Sequence, residues 1–531
     1  MSQKSETLNT RAAGIVGLAV MCSRLLGLAR EQVFAALFGG GAYLDAFTIA
    51  FRIPNLLRDL FAEGALSTAF ITIFSRTITR DGDAAAFRLA NKITTLALIT
   101  LSGITILGIV FAPWIISVLA PGFDPAKQAL TVTLARIMYP FILLVSLAAL
   151  VMGMLNARNV FGIPAMASSF FNLGSIVGGV ALGWLFDPHF GPRALLGLSL
   201  GTLVGGLLQL AVQLPALRRE GFVFRWDLAW RDPGVADVLR LMGPSVIAAS
   251  STQINVMINS VFASQMGDGP TSWLSIAFRL MQLPLGIFGV ALGTVSLPLL
   301  SRLAAAGNRE GFRTELARGI RLAFLMTIPA TVGLVVLADP IVWVLYRHGR
   351  FTADQAHQAA GALQYYALGL IGYASLKVLV NAFYAIDQRL KPMFVSFAAV
   401  GLNLVFNWLF TWHLQWGFRG LAFSTACVAS TNFIVLFLLM RRHLQRFEGR
   451  ALLSLTLRVG LAAAVMAAVC LASMQWLLPG WAGAGFWLRL GWLLATIVVA
   501  AAIFAACATG LRVSELTAIT AAFRRRLQRA R

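Results

Sequence analysis

Residues 45–76 read DAFTIAFRIPNLLRDLFAEGALSTAFITIFSR, and residues 272–302 read SWLSIAFRLMQLPLGIFGVALGTVSLPLLSR. The tetrapeptide IAFR closes at Arg52 and at Arg279, 227 residues apart, each time inside a strongly apolar segment. The match extends in order on both sides. VFA at 33–35 answers VFA at 261–263, and FSR ending at Arg76 answers LSR ending at Arg302. AAFRLANKITTLALI lies opposite EGFRTELARGIRLAFLM, and FAPWIISVLAPGFDPAKQ opposite LADPIVWVLYRHGRFTADQ. One tetrapeptide is within reach of chance; five ordered matches at an offset of 225–228 are an internal duplication.

The chain that carries this duplication is 58% hydrophobic and 12% charged over 531 residues. Its mean hydropathy is +0.79. A soluble protein of that length needs far more polar surface, so the composition is that of a polytopic membrane protein. A span takes about 20 apolar residues. That ruler gives fourteen helices near 13–38, 42–73, 93–119, 129–156, 160–186, 194–217, 236–263, 271–300, 319–346, 358–386, 393–413, 420–440, 453–478 and 485–510, the second interrupted by Pro54 and Gly64. The runs are long and do not alternate, which excludes a strand reading. The first is read as a retained span, not a cleaved signal.

Six spans separate the second from the eighth, so both copies cross in the same direction. Parallel repeats of this kind predict two lobes related by an axis along the membrane normal, with the substrate site between them. The expected organisation is an N-terminal lobe at 1–217 (spans one to six), a cytoplasmic linker at 218–235 and a C-terminal lobe at 236–440 (spans seven to twelve). A basic linker at 441–452, two further spans within 453–510 and a basic tail at 511–531 complete it.

The net charge of +22 does not point to nucleic acid once its distribution is seen. With a cytoplasmic N-terminus, 30 of 43 basic residues fall in cytoplasmic segments. Seven fall outside (Lys127, Arg136, Arg193, Arg347, Arg350, Arg419 and Arg489) and six in span interiors. That is the positive-inside asymmetry, and the tail FRRRLQRAR is read as a topology determinant touching anionic headgroups.

The six interior cations are Arg24, Arg30, Arg52, Arg58, Arg279 and Lys377. Each costs about 2.5–3.5 kcal/mol at a helix centre and is kept where it faces a watery cavity or a partner. Asp45, Arg52 and Asp59 recur every seven residues, nearly one face of an unbroken helix; on that reading Arg52 is a charge-paired, structural or gating residue. Pro54 breaks the helix, as a cavity-lining segment allows, and Gly27 permits a bend between Arg24 and Arg30. Arg279 has no acidic residue within ten positions, and a guanidinium suits a phosphate through its bidentate fork. The plainer reading, intramembrane ion pairs that fix helix packing, stands beside this one. At the repeat offset Arg24, Arg30 and Arg58 face Thr252, Ile258 and Leu285, so the cavity is expected to be cationic mainly on one wall.

Catalysis finds no constellation. The five histidines are scattered, no phosphate loop or acid/base cluster occurs, and the four cysteines form no CxxC pair, so neither cofactor nor metal is expected.

SRLLGLAREQVFAALFGGGAYLDAFTIAFRIPNLLRDLFAEGALSTAFI at 23–71 and FRLMQLPLGIFGVALGT at 278–294 closely resemble signatures of the MurJ (MviN) lipid II flippase family, of the multidrug/oligosaccharidyl-lipid/polysaccharide exporter superfamily. The resemblance covers essentially the whole chain. It implies a non-enzymatic transporter of the bacterial cytoplasmic membrane, moving undecaprenyl-diphosphate-linked disaccharide-pentapeptide outward for peptidoglycan synthesis. A related exporter of polysaccharide lipid intermediates or drugs is the alternative. The family's cavity arginines match Arg24, Arg30, Arg58 and Arg279, and its polar positions match Ser23, Asp45, Asn55 and Glu63. Glu31, where many members have aspartate, joins Asp45, Arg52, Asp59 and Glu63 as gating or charge-pairing residues. Asn403 and Asn407 stand where some members are thought to use carboxylates for sodium. Spans thirteen and fourteen are expected to form a groove for the polyprenyl tail. The implied partners are lipid II and membrane lipids, with room for contacts with cell-wall synthesis proteins.

The distribution of basic residues predicts that both termini are cytoplasmic. In intact cells, a tag near Asp124 is expected to be labelled from outside and one near Arg524 to be protected; outside labelling of the tail would overturn the fourteen-span map.

Overall fold

The computed structural model describes residues 10–60, 66–444, 449–477 and 483–516. Among these residues every regular element is a helix. This is the outcome expected in a bilayer, where each backbone N–H and C=O must be satisfied within its own segment.

The first copy runs α1 (Thr10–Phe38), α2 (Ala42–Leu57), α3 (Leu66–Asp81), α4 (Asp83–Leu119), α5 (Pro125–Met138), α6 (Phe141–Ala157), α7 (Gly162–Phe186), α8 (Ala194–Ala211) and the short α9 (Leu214–Arg219). The second runs α10 (Pro233–Ser264), α11 (Pro270–Pro284), α12 (Val290–Ala305), α13 (Arg309–Val336), α14 (Ala338–Tyr346), α15 (Ala353–Leu368), α16 (Leu370–Ala385), α17 (Leu390–Trp408) and α18 (Phe418–Leu444). α19 (Gly449–Leu477) and α20 (Phe486–Gly510) follow without counterparts. Helices α2, α5 and α7 each begin 228 residues before α11, α15 and α17. The duplication therefore extends to the element order.

It extends to the irregularities as well. α2 contains Pro54 and passes into a π-helical turn at 58–60; α11 ends at Pro284 and passes into a π turn at Leu285–Gly289. Proline lacks the N–H that an unbroken helix uses, and π turns are a common way to absorb the defect. The N-terminus of α5 is capped by Asp124, whose carboxylate accepts from the Ala126 and Lys127 N–H groups. Its counterpart α15 is capped by Thr352, in a reciprocal capping box with Gln355.

Nine described helical segments are long and apolar enough to cross a membrane, or eleven if two bent pairs count as one span each. The expected second and eighth spans are divided into α2 and α3 and into α11 and α12, pieces of 15 or 16 residues. The expected first span is the 29-residue α1, which continues as helix through Gly27.

Packing divides the chain into two compact units, Met1–Ser272 with His348–Phe351, and Trp273–Arg347 with Thr352–Arg531. In the first unit α7 and α8 make the most extensive contact, α1 lies on α7, α2 on α5, and α10 on α3 and α4. An added Cβ at Gly197 would lie 2.2 Å from the Gly183 nitrogen, and one at Gly201 would lie 2.2 Å from the Gly179 nitrogen. Spaced glycines thus let two backbones touch, the close approach that favours helix association in lipid. Residues 222–230, rich in aromatics, run extended along α4. Asn91 donates to the Val223 carbonyl and accepts from the Arg225 N–H, and Thr95 Oγ1 accepts from the Asp227 N–H. Lys92 then pairs with Asp232 and holds its carboxyl below the usual carboxylate range.

In the second unit two apolar clusters carry the packing. One joins α12, α13, α16 and α18 through Leu300, Phe312, Leu379 and Leu436. The other joins α13, α19 and α20 through Leu325, Val459, Ala463 and Phe504.

The α7–α8 contact yields a stability test. Gly201→Ala is expected to lower unfolding stability in detergent by about 1–3 kcal/mol, the usual cost of overpacking. Gly103→Ala, whose Cβ would meet nothing within 4 Å, is expected to change it little. Equal thermal midpoints for the two variants would show that the contact does not need its glycines.

Candidate functional site

α1 brings Ser23, Arg24, Arg30 and Glu31 into the first unit. Asn172 of α7 donates from Nδ2 to the Ser23 carbonyl at 3.0 Å. A Cβ on Gly27 would sit 3.5 Å from that same amide nitrogen, in ordinary van der Waals contact, so Gly27 lies directly beside Asn172. The two arginines have different surroundings. Arg24 is exposed, whereas Arg30 is 9% exposed and lies 5.1 Å from the centroid of the Phe171 ring. A guanidinium over a ring face gains cation–π attraction that grows as water is excluded. Arg24 is thus placed to meet something from outside the fold, and Arg30 is built into it. Glu31 is half-buried.

α2 separates its charged residues in the same way. Asp45 is fully buried, and its carboxylate is surrounded by donors: Lys127 Nζ at 3.1 Å, the Gly269 N–H at 2.7 Å and the Ser272 N–H at 2.8 Å. Lys127 also reaches Asp268 at 2.7 Å and lies over the Phe123 ring. One lysine therefore joins α2, the start of α5 and the loop before α11. The seven-residue spacing offered Asp45 and Asp59 as partners for Arg52. Asp45 is engaged by Lys127, and Asp59 by its neighbour Arg58 through Nη2 at 2.9 Å and Nε at 3.2 Å. Gln253 of α10 donates to the other Asp59 oxygen at 3.4 Å. Arg52 and Asn55 are half-buried on the same helix. Glu63 lies outside the described residues.

Arg279 belongs to the second unit, exposed on α11. The π turn that follows is covered by α16. A Cβ on Gly289 would lie 3.4 Å from the Lys377 side chain, and Asn381 donates to the Gly293 carbonyl at 2.8 Å. Asn403 and Asn407 are buried together on α17, with Nδ2 of the second donating to Oδ1 of the first at 3.3 Å. Among the described residues no group of three histidines, cysteines, aspartates or glutamates gathers to hold a metal.

Sequence reasoning missed Lys127, Asn172, Gln253 and Asn381. Lys127 did carry a signal: it stands three residues after Asp124 of an Asp-Pro helix start, in the first turn of a helix. The other three are neutral amides in apolar runs, and only tertiary contact distinguishes them from lipid-facing neighbours.

A family model described as lipid II flippase MurJ matches residues 34–491. The lipid II flippase MurJ of Burkholderia cenocepacia is 36% identical over 429 residues, which cover 80% of this chain and 82% of that relative. Among solved structures, one titled as lipid II flippase MurJ in an inward closed conformation superposes with a TM-score of 0.76 at 24% identity, covering 93% of this chain and 98% of that one. An inward-facing multidrug resistance transporter of the MATE family superposes at 0.68 and 18% identity, covering 82% and 98%. These two likenesses concern the fold.

Lys127→Met leaves a fully buried carboxylate with its backbone donors but no countercharge. Breaking a buried pair in this way costs about 3–5 kcal/mol. The double variant Asp45→Asn/Lys127→Met is expected to recover much of that stability in detergent unfolding. A double variant no more stable than Lys127→Met would show that the two charges are not coupled.

Proposed function

The chain belongs to the lipid II flippase MurJ family, and from that membership we propose that it carries lipid II from the inner to the outer leaflet of the bacterial cytoplasmic membrane for peptidoglycan synthesis. It is a transport protein, not an enzyme. The single observation that carries the reading is the family match over residues 34–491, a stretch that contains Arg52, Arg58, Arg279 and both IAFR segments.

On this reading the chain spans the membrane fourteen times with both termini cytoplasmic. Spans one to six (1–217) and seven to twelve (236–440) are two lobes that alternate access to a cavity between them, and 453–510 receives the polyprenyl tail. Arg24, Arg58 and Arg279 take the diphosphate, with Arg30, Ser23 and Asn55 shaping the same wall. Arg58 already turns two of its donors, Nε and Nη2, on one oxygen of the Asp59 carboxylate, the edge of the guanidinium that a phosphate would engage. Asp59 then occupies the place of the anion until the headgroup arrives, and Gln253 offers it a second partner when it is displaced. Arg52, Glu31, Asp45 and Glu63 are assigned to charge pairing and gating. Cell-wall synthesis proteins are the natural neighbours of such a transporter.

A related exporter of cationic drugs calls for intramembrane carboxylates in excess of cations. The span interiors carry the opposite excess, which favours an anionic cargo.

The test is lipid II translocation in reconstituted vesicles. Arg24→Ala, Arg58→Ala and Arg279→Ala are each expected to slow flipping by about tenfold or more while inserting normally, since each removes an ion that is costly in the bilayer. Lysine is expected to substitute poorly because it lacks the planar fork. Unimpaired flipping by all three alanine variants would remove the anion-cavity reading.

A further inference from the structure

A cavity of about 320 Å³ opens in the second unit, and none of the arginines on α1, α2 and α11 lines it. Its walls are three pieces of chain. α13 contributes Arg321; one face of α19 contributes Ala451, Ser454, Leu455 and Arg458; the turn after α20 contributes Arg512, Val513, Ser514 and Glu515. The α19 residues fall at i, i+3, i+4 and i+7, a single helical stripe.

Three arginines face one glutamate in this lining, and the glutamate is already engaged. Glu515 is paired with Arg321 at 2.7 Å and accepts from the Ser514 hydroxyl at 2.9 Å. Both ends of that pair are well shielded, with side-chain exposures of 18% and 9%. Arg458 and Arg512 stand at the exposed rim. Arg458 Nη1 donates to the Arg512 carbonyl at 3.4 Å, one of the five N–H donors a guanidinium carries. Two guanidinium groups held at one mouth repel each other, and an anion between them relieves that repulsion.

The floor of the cavity is apolar. Leu455 is 5% exposed and Val513 1%, and both belong to the cluster that joins α13, α19 and α20. Immediately beside the mouth, on the next face of α19, Leu453, Leu457 and Leu461 form a stripe that is 57–66% exposed. A cationic rim, an apolar floor and an adjoining apolar stripe together match one kind of molecule: a phosphate group esterified to acyl chains. A free phosphate would use the rim alone. Arg441 and Arg442 in the last turn of α18 and Arg450 in the first turn of α19 add basic residues at the end of α19 where the cavity lies, the end our topology makes cytoplasmic. Basic pockets between spans on that side bind anionic lipid headgroups.

We propose that this cavity is a binding site for the phosphodiester headgroup of an anionic membrane phospholipid, with Arg458 and Arg512 holding the phosphate and the Leu453–Leu457–Leu461 stripe seating an acyl chain. The site shares α19 with the segment assigned to the polyprenyl tail, but it uses none of the arginines assigned to the diphosphate and needs no substrate in transit. The Arg321–Glu515 pair positions the turn that carries Arg512. Occupancy would pin the end of α20 to α19 and α13.

The test uses the full chain, delipidated in neutral detergent and titrated with phosphatidylglycerol, with phosphatidylcholine of the same chains, and with inorganic phosphate, read by native mass spectrometry. Phosphatidylglycerol is expected to fill one site at least about tenfold more tightly than phosphatidylcholine, a difference of about 1.4 kcal/mol, and raised salt should weaken it. Arg458→Gln/Arg512→Gln is expected to abolish that preference, while Arg441→Gln/Arg442→Gln retains it. Arg512 has a φ of 54°, so Arg512→Asn, which tolerates that backbone, removes one rim charge with the turn intact and should give a severalfold loss. Equal binding of the two lipids, or an unchanged preference in the Arg458/Arg512 variants, would overturn the proposal. Inorganic phosphate competing as well as the lipid would overturn its lipid part. None of these readouts depends on whether lipid II is flipped.

Discussion

The carboxylate of Asp45 is the point on which the first unit turns. A fully desolvated carboxylate is among the most expensive groups a protein can bury, and inside a membrane protein it is tolerable only when its lone pairs are met by strong donors. Lys127 and the two N–H groups of Gly269 and Ser272 meet that demand. They come from α5, from the loop before α11 and from the first turn of α11 itself, so satisfying one ion fixes three separate pieces of chain. Removing Lys127 leaves the two N–H groups holding an uncompensated charge, and removing either N–H leaves a desolvated lone pair unmet.

A second constraint acts on the broken helices. Proline in α2 and α11 costs backbone hydrogen bonds close in sequence to Arg52, Arg58 and Arg279. In lipid such a defect must be covered by protein. The second unit shows how: Asn381 reaches back to the Gly293 carbonyl beyond the π turn, and the Lys377 side chain lies along Gly289. Lys377, an expensive cation by sequence, is therefore placed against the break.

What could be read from sequence follows from which forces are local. The repeat was legible because duplication preserves order and spacing, and the structure returns it in element order, down to a cap at the start of α5 and of α15. The helical class was legible because apolar length suffices for it. The interruption of the second span was legible at Pro54, whereas the π turns after Pro54 and Pro284 were not, because they leave hydropathy nearly untouched. For Arg52 the seven-residue spacing saw only its own helix. Asp45 lies at the beginning of α2, and its countercharge, 82 residues away on α5, leaves no trace in local periodicity. Asn172 and Gln253 were invisible for the same reason.

The two copies show how differently one architecture can solve the same position. Asp45 stands four residues before Ile49, and Ser272 stands four before Ile276, so in the IAFR register they are counterparts. They are also partners, since the Ser272 N–H donates to Asp45. Lys127 and Gln355 both stand three residues after the caps of counterpart helices. In the first copy that position reaches across to a buried carboxylate. In the second, Gln355 folds back onto its own N-cap, and the residue after Ser272, Trp273, packs edge-on against Phe418. One copy holds its helix start by a desolvated ion pair and the other by neutral hydrogen bonds and aromatic contact. Charge at this position is accordingly confined to one half of a duplicated chain.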